Sequence, residues 1–330
     1  MTFSSLNRLN IWWVNRFGAG RREWRRAASA RAAAAALVLL AACGGGTTQY
    51  EVFVPGRLFA FGDDASALTA DGRKYAVNGL NADGLLDCTL EPLWVQSVAV
   101  YYGFVFAQCN PNNSTAVNAL MFAAAGARVA EIAAQVDTQV AAGGFRDKDL
   151  ALVLGGANDV YELYAQFPQR SEAQLIADVR ARGERLAQIV NRLVTLQAKV
   201  IVSTLPDLGL SPYARAQEAA NAGRAGLITR LTSAFNEQMG LKVLADGRFV
   251  GLMQTDLRSQ LIERFPGSYP PLSNTTTAAC TAVLPSCTTA TLITDATAGA
   301  YFWADDKRLS SGAQIQLASL ALERAQRNPF

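Results

Sequence analysis

Histidine is absent from all 330 residues. That removes imidazole, the side chain whose ordinary pKa lies nearest neutrality, from its usual work as proton shuttle, metal ligand and pH switch. Charge is also scarce. Charged residues make up 17% of the chain and hydrophobic residues 50%, a balance that supplies a packed core and excludes a disordered chain. There are five cysteines and no C-x-x-C pair, so thiolates alone offer no zinc site, and neither metal nor cofactor is expected. The apolar run over 32–40 is too short to cross a bilayer as a mature helix.

That run has a second meaning. Arg21, Arg22, Arg25, Arg26 and Arg31 precede it, and Leu40-Ala41-Ala42-Cys43-Gly44 follows, the form of a signal peptide whose small-residue cleavage site ends on a cysteine. The site resembles the lipobox of bacterial lipoproteins. The resemblance implies cleavage before Cys43, acylation of its thiol, and a Gly44-Gly45-Gly46 tether holding the exported domain to a membrane. The expected organisation is a signal peptide over 1–42, a tether over 43–55 and one domain over 56–330, in the bacterial cell envelope at the periplasmic face of an outer membrane. A plain secretory signal with a chance cysteine is the alternative.

The leader also sets the sign of the charge. It holds seven Arg and one Glu, so its removal takes Lys+Arg from 30 to 23 and Asp+Glu from 27 to 26, turning a net +3 into about −3. Nothing in that balance favours nucleic acid as a partner. Export places Cys88, Cys109, Cys280 and Cys287 in an oxidising compartment, where an even number reads as disulfides. Of the three possible pairings, the short-loop solution is Cys88 with Cys109 and Cys280 with Cys287.

Leu152-Val153-Leu154-Gly155-Gly156-Ala157-Asn158-Asp159 anchors the rest. An apolar run of that kind reads as a strand buried on both faces, left through a sharp loop at its carboxyl end. Residues 57–61, 199–202 and 249–253 read as further buried strands. Between them the spacing predicts helices over 91–102 with Pro92 in the first turn, from Ala127 to the stop at Gly143-Gly144, after the capping box Ser171-Glu172-Ala173-Gln174, around Leu227, Leu231 and Phe235, and over 310–326 with Ile315, Leu317, Leu320 and Leu322. Strands alternating with helices of this length indicate a parallel sheet covered on both faces. The Thr- and Ser-rich stretch over about 266–300, with two cysteines, reads as a disulfide-pinned surface excursion. Trp94 and Trp303 read as core or rim packing before ligand platforms.

Four corners then line up along the chain: Gly62-Asp63-Asp64, Ala124-Ala125-Gly126-Ala127, Gly156-Ala157-Asn158-Asp159, and Trp303-Ala304-Asp305-Asp306-Lys307-Arg308. In this order they resemble the SGNH or GDSL hydrolases, a family of esterases, lipases and other acyl hydrolases. The resemblance spans essentially the whole mature chain and implies an α/β fold, a flavodoxin-like three-layer α/β/α sandwich with a parallel sheet in one domain. Gly62 and Asp63 match the first block, Gly126 the second, Gly156, Asn158 and Asp159 the third, and Asp305 the aspartate of the last. By that match Gly126 and Asn158 are the oxyanion donors.

Two positions depart from the pattern. Asp64 stands where the family has its nucleophilic serine, and Arg308 stands where it has its histidine. A guanidinium stays protonated at any working pH, so it cannot take the proton that a histidine takes during attack. Because serine and histidine touch in the family, Asp64 and Arg308 are expected to touch here as a carboxylate–guanidinium pair, bidentate at best, with Asp305 sharing the arginine. The expected function is an impaired or inactive acyl hydrolase that binds an acyl, glycan or envelope ligand. The alternatives are an ester hydrolase working through Asp64 or Ser66, and a purely structural envelope lipoprotein.

Overall fold

The computed structural model describes residues 53–327. The signal peptide, Cys43 and most of the tether expected from the sequence lie outside the described residues. Five strands, β1 (Arg57–Gly62), β2 (Ala119–Met121), β3 (Asp149–Leu154), β4 (Lys199–Ser203) and β5 (Val250–Met253), form one parallel sheet in the order β2-β1-β3-β4-β5, the flavodoxin-like order. Leu58 lies opposite Leu150 and Gly62 opposite Leu154, so the two central strands end level with each other. All six residues of β3 are buried, as a strand covered on both faces requires.

The connections carry α1 (Trp94–Tyr101), α2 (Val129–Ala141), α3 (Ala157–Tyr164), α4 (Glu172–Thr195), α5 (Pro212–Ala220), α6 (Arg224–Lys242), α7 (Thr255–Arg264) and α8 (Ser311–Arg327). Parallel crossovers are right-handed, and the chain steps one way from β1 to β2 and the other way thereafter. Helix α1 therefore falls on one face, where it packs against α8, while α2, α4 and α6 share the other. The capping box opens α4 as the sequence indicates: Ser171 Oγ accepts from Gln174 N–H, and Gln174 Oε1 accepts from Ser171 N–H at 2.9 Å.

Both disulfides form as paired above, Cys88 with Cys109 and Cys280 with Cys287. The excursion over 266–300 is not purely loop. It contributes β6 (Asn274–Ala278), which pairs in parallel with β7 (Tyr301–Trp303), and its apolar residues Leu284 and Ala298 close over Val77 and Ala304.

Several boundaries differ from the sequence reading. Helix α1 begins at Trp94 with Leu93 as its cap, so Pro92 precedes the helix instead of sitting in its first turn. Ile315 is exposed while Leu317 and Leu320 are buried, which moves the buried stripe of α8 by part of a turn. Trp94 and Trp303 are both core residues with satisfied indoles, donating to Ser66 Oγ and to the Thr275 carbonyl at 3.0 Å each. Most relevant to the site, Asn158 and Asp159 are not in a loop; they lie in the first turn of α3, which follows directly on Gly156.

Candidate active site

The corner after β1 and the corner after β3 lie side by side at the carboxyl ends of the strands, where the strand order reverses and open α/β sheets form a crevice. Gly62 leaves β1 at φ +145°, and a Cβ there would stand 1.9 Å from the Leu154 carbonyl oxygen. Only glycine permits that approach. The Gly62 peptide groups are then clamped by one side chain of α2: Gln135 Oε1 accepts Gly62 N–H, and Gln135 Nε2 donates to Gly62 O, at 2.9 Å each. On the neighbouring corner Gly156 takes φ +117° with the Phe235 ring against it. It opens α3 so that Asn158, in the first turn, faces the first corner.

Asp64 is where these corners converge. Its Oδ2 accepts from Gly126 N–H at 2.9 Å and from Asn158 Nδ2 at 3.1 Å, and Asn158 Nδ2 also donates to the Ala127 carbonyl at 3.1 Å. Two donors aimed at one point are the arrangement that stabilises a developing oxyanion; here they hold a carboxylate oxygen that is always present. Asp64 Oδ1 accepts from Arg308 Nε at 2.8 Å, and Arg308 Nη1 donates to Asp305 Oδ2 at 2.8 Å. The contact between Asp64 and Arg308 expected from the paired replacement is present, and Asp305 shares the arginine. It is not bidentate. The fork is split between two carboxylates, one nitrogen to each.

Asp305 in turn is fixed by backbone, its Oδ1 accepting from Lys307 N–H at 2.9 Å and Arg308 N–H at 2.6 Å. Burial pushes the Asp64 carboxyl up, but the Gly126 amide, the Asn158 amide and the Arg308 charge together outweigh it and hold the group below the ordinary carboxylate range. Arg308 is likewise disfavoured by burial, yet Asp64 and Asp305 keep it protonated more firmly than a free guanidinium. Arg308 is thus a group that gives no proton and takes none.

The other motif residues do different work. Asp159 Oδ2 accepts from Val129 N–H at 2.9 Å and so caps α2, while Arg182 Nη1 lies 3.6 Å from its Oδ1. Asp63 is 3% exposed. Its Oδ1 accepts from Ala65 N–H at 3.2 Å and its Oδ2 has no partner among the described residues. Burial above all, then the negative charge of Asp64, pushes its carboxyl up to about 7. Ser66 is fully buried and its Oγ accepts the Trp94 indole N–H. The turn after Asp64 aims that hydroxyl into the core, which removes Ser66 as an alternative nucleophile.

The cleft beside Asp64 has a volume of about 60 Å³ and is walled by Leu154, Leu205, Leu208 and Leu309, with Tyr161 and Lys307 at its side. Nothing in the sequence marks Lys307 for this place. Its Nζ lies 4.3 Å from the centre of the Tyr213 ring and 5.4 Å from that of Tyr161, and no spacing in the sequence announces that tyrosine pair. Among the described residues no group of three or more Cys, Asp or Glu is placed to hold a metal ion, and no helix is long and apolar enough to cross a membrane.

Among solved structures, the chain is similar to the lipase Lip_vut3 from a goat rumen metagenome, at 13% identity and a TM-score of 0.47 over 83% of this chain and 99% of that one. It is similar to the acetyl xylan esterase AlAXEase at 10% identity and 0.41 over 81% and 98%, and to TesA at 14% and 0.38 over 83% and 99%. No curated protein matches its sequence. The family model for GDSL-like lipase/acylhydrolase matches residues 58–248, which hold most of the sheet, Asp64, Gly126 and Asn158. With more than half its length under that model and its five parallel strands in the flavodoxin-like order, the chain belongs to the GDSL-like lipase/acylhydrolase family.

Proposed function

We propose that this member of the family is an impaired acyl hydrolase, exported and anchored to the envelope membrane through Cys43, which binds a small acyl, glycan or other envelope ligand in the cleft beside Asp64. One observation carries the reading: Asp64 Oδ2 occupies both oxyanion donors while its Oδ1 is tied to Arg308. In acyl transfer by a serine triad the hydroxyl gives its proton to the histidine as it attacks, and the carbonyl oxygen moves into the donor pair as it gains charge. Here the hydroxyl is missing, the proton acceptor is missing, and the donors are engaged. A cleft of about 60 Å³ with apolar walls suits a group of a few heavy atoms, far below the usual volume of drug-sized sites, about 300–1,000 Å³.

The double variant Asp64→Ser with Arg308→His tests it with short-chain p-nitrophenyl esters. Turnover by the double variant and none by the wild type would support loss of chemistry on an intact scaffold. Turnover by the wild type, abolished in Asp64→Ala, would overturn the reading. Mass spectrometry of Cys43 in protein purified from bacterial membranes tests the anchor separately. If short-chain esters and carboxylates leave the thermal midpoint unmoved, the purely structural alternative gains.

A further inference from the structure

The two oxygens of Asp64 are held differently, and the difference bears on chemistry that the family reaction does not include. Oδ2 sits between two N–H donors, whereas Oδ1 accepts from Arg308 Nε alone. A carboxylate oxygen has two acceptor positions, so the Arg308 contact leaves Oδ1 one lone pair. If Oδ1 attacked an acyl carbon, the new oxyanion would need the donor pair, and Oδ2 already fills it. Displacement at a saturated carbon makes no such demand, because the charge develops on the leaving group.

The rest of the cleft suits displacement. Leu154, Leu205 and Leu309 supply apolar walls for a short alkyl group. Lys307 and Arg308 line the same cleft, and their positive charge favours departure of an anion into it. Lys307 is held there by the faces of Tyr213 and Tyr161. No proton has to move, so the missing histidine is no obstacle.

We propose that Asp64 captures small primary alkyl halides as an alkyl ester. The Oδ1 lone pair forms the new C–O bond while the C–X bond breaks, and the halide leaves with the bonding pair on the side of the carbon opposite Oδ1, within the cleft that Lys307 also lines. Covalent capture goes beyond the ligand-binding reading and does not depend on ester turnover or on the anchor.

The test incubates the full-length protein with 1-bromopropane and follows intact mass and peptide maps. Cys88, Cys109, Cys280 and Cys287 are bonded, which leaves the Cys43 thiol as the competing nucleophile, and the peptide map counts its adduct apart from those on carboxylates. Apart from any adduct on Cys43, one propyl adduct per chain is expected, on Asp64, at a rate about tenfold or more above that of exposed carboxylates such as Asp71 and Asp83, because the cleft orients the reacting atoms. Lys307→Gln should slow the labelling about threefold or more by removing a cation from the cleft into which the halide departs. Adducts spread evenly over the exposed carboxylates, or none on Asp64 in folded wild-type protein, would overturn the proposal. The wild-type map decides the matter even where Asp64→Asn fails to fold; a folded Asp64→Asn should carry no adduct at that position.

Discussion

Replacing Asp63 with asparagine should make the protein more stable, and by an amount that grows with pH. The carboxyl is buried with one oxygen lacking any partner among the described residues, and its pKa is about 7 against an ordinary 3.8. Between those values the folded protein keeps a proton that the unfolded chain releases, so stability falls as pH rises and levels off above about 7. Each tenfold change in proton affinity is worth about 1.36 kcal/mol, so the whole window corresponds to roughly 4 kcal/mol. About two thirds of that window lies above pH 5, so the wild type should lose about 3 kcal/mol between about pH 5 and pH 8. The amide of the Asp63→Asn variant titrates nowhere in that range and keeps an oxygen for the Ala65 N–H. Urea unfolding of both proteins at the two pH values gives the comparison: the advantage of Asp63→Asn should widen by about 3 kcal/mol on going to about pH 8. An advantage that is the same at both pH values would refute the argument, since it would mean that Asp63 is ionised in the folded protein throughout.

Further outcomes follow from the same geometry. Arg308→Ala should cost about 1–3 kcal/mol in denaturant unfolding, because it leaves Asp64 buried without its cation; the arginine is itself 36% exposed, so the figure sits below that for a fully buried pair. No esterase activity should appear with it. Gly62→Ala should cost more than about 3 kcal/mol or abolish soluble expression, since the Leu154 carbonyl occupies the space a Cβ needs. Ser66→Ala should cost about 1 kcal/mol by orphaning the Trp94 indole while leaving any ester turnover unchanged. Changing Cys88 and Cys109 together to serine should cost about 3 kcal/mol, the value for a loop of this length.

The sequence was most readable where one physical requirement dominates. A strand covered on both faces must be apolar throughout, which is why β3 is visible by inspection, and Ser171 announces α4 because a capping box satisfies two orphan amides with two specific side chains. Strand β2 escaped because three residues, Ala119–Met121, carry no period. Helix α3 escaped because Asn and Asp, common in turns, are also residues that a helix tolerates in its first turn, and here Gly156 supplies the abrupt entry. At the site, the contact between Asp64 and Arg308 could be expected from the sequence, because the resemblance puts them at two positions that touch in the family. The direction of the Ser66 side chain could not, because it depends on the path of the turn after Asp64, and neither could the seat of Lys307, which depends on where α3 and α5 bring Tyr161 and Tyr213.

The grip of Gln135 on both edges of the Gly62 peptide has one more consequence. It fastens the floor of the crevice to a neighbouring helix, with no call on the residues that face the opening. Framework and opening are therefore separately replaceable in this chain: Asp64 and Arg308 can be exchanged for other side chains while the masonry beneath them stays in place.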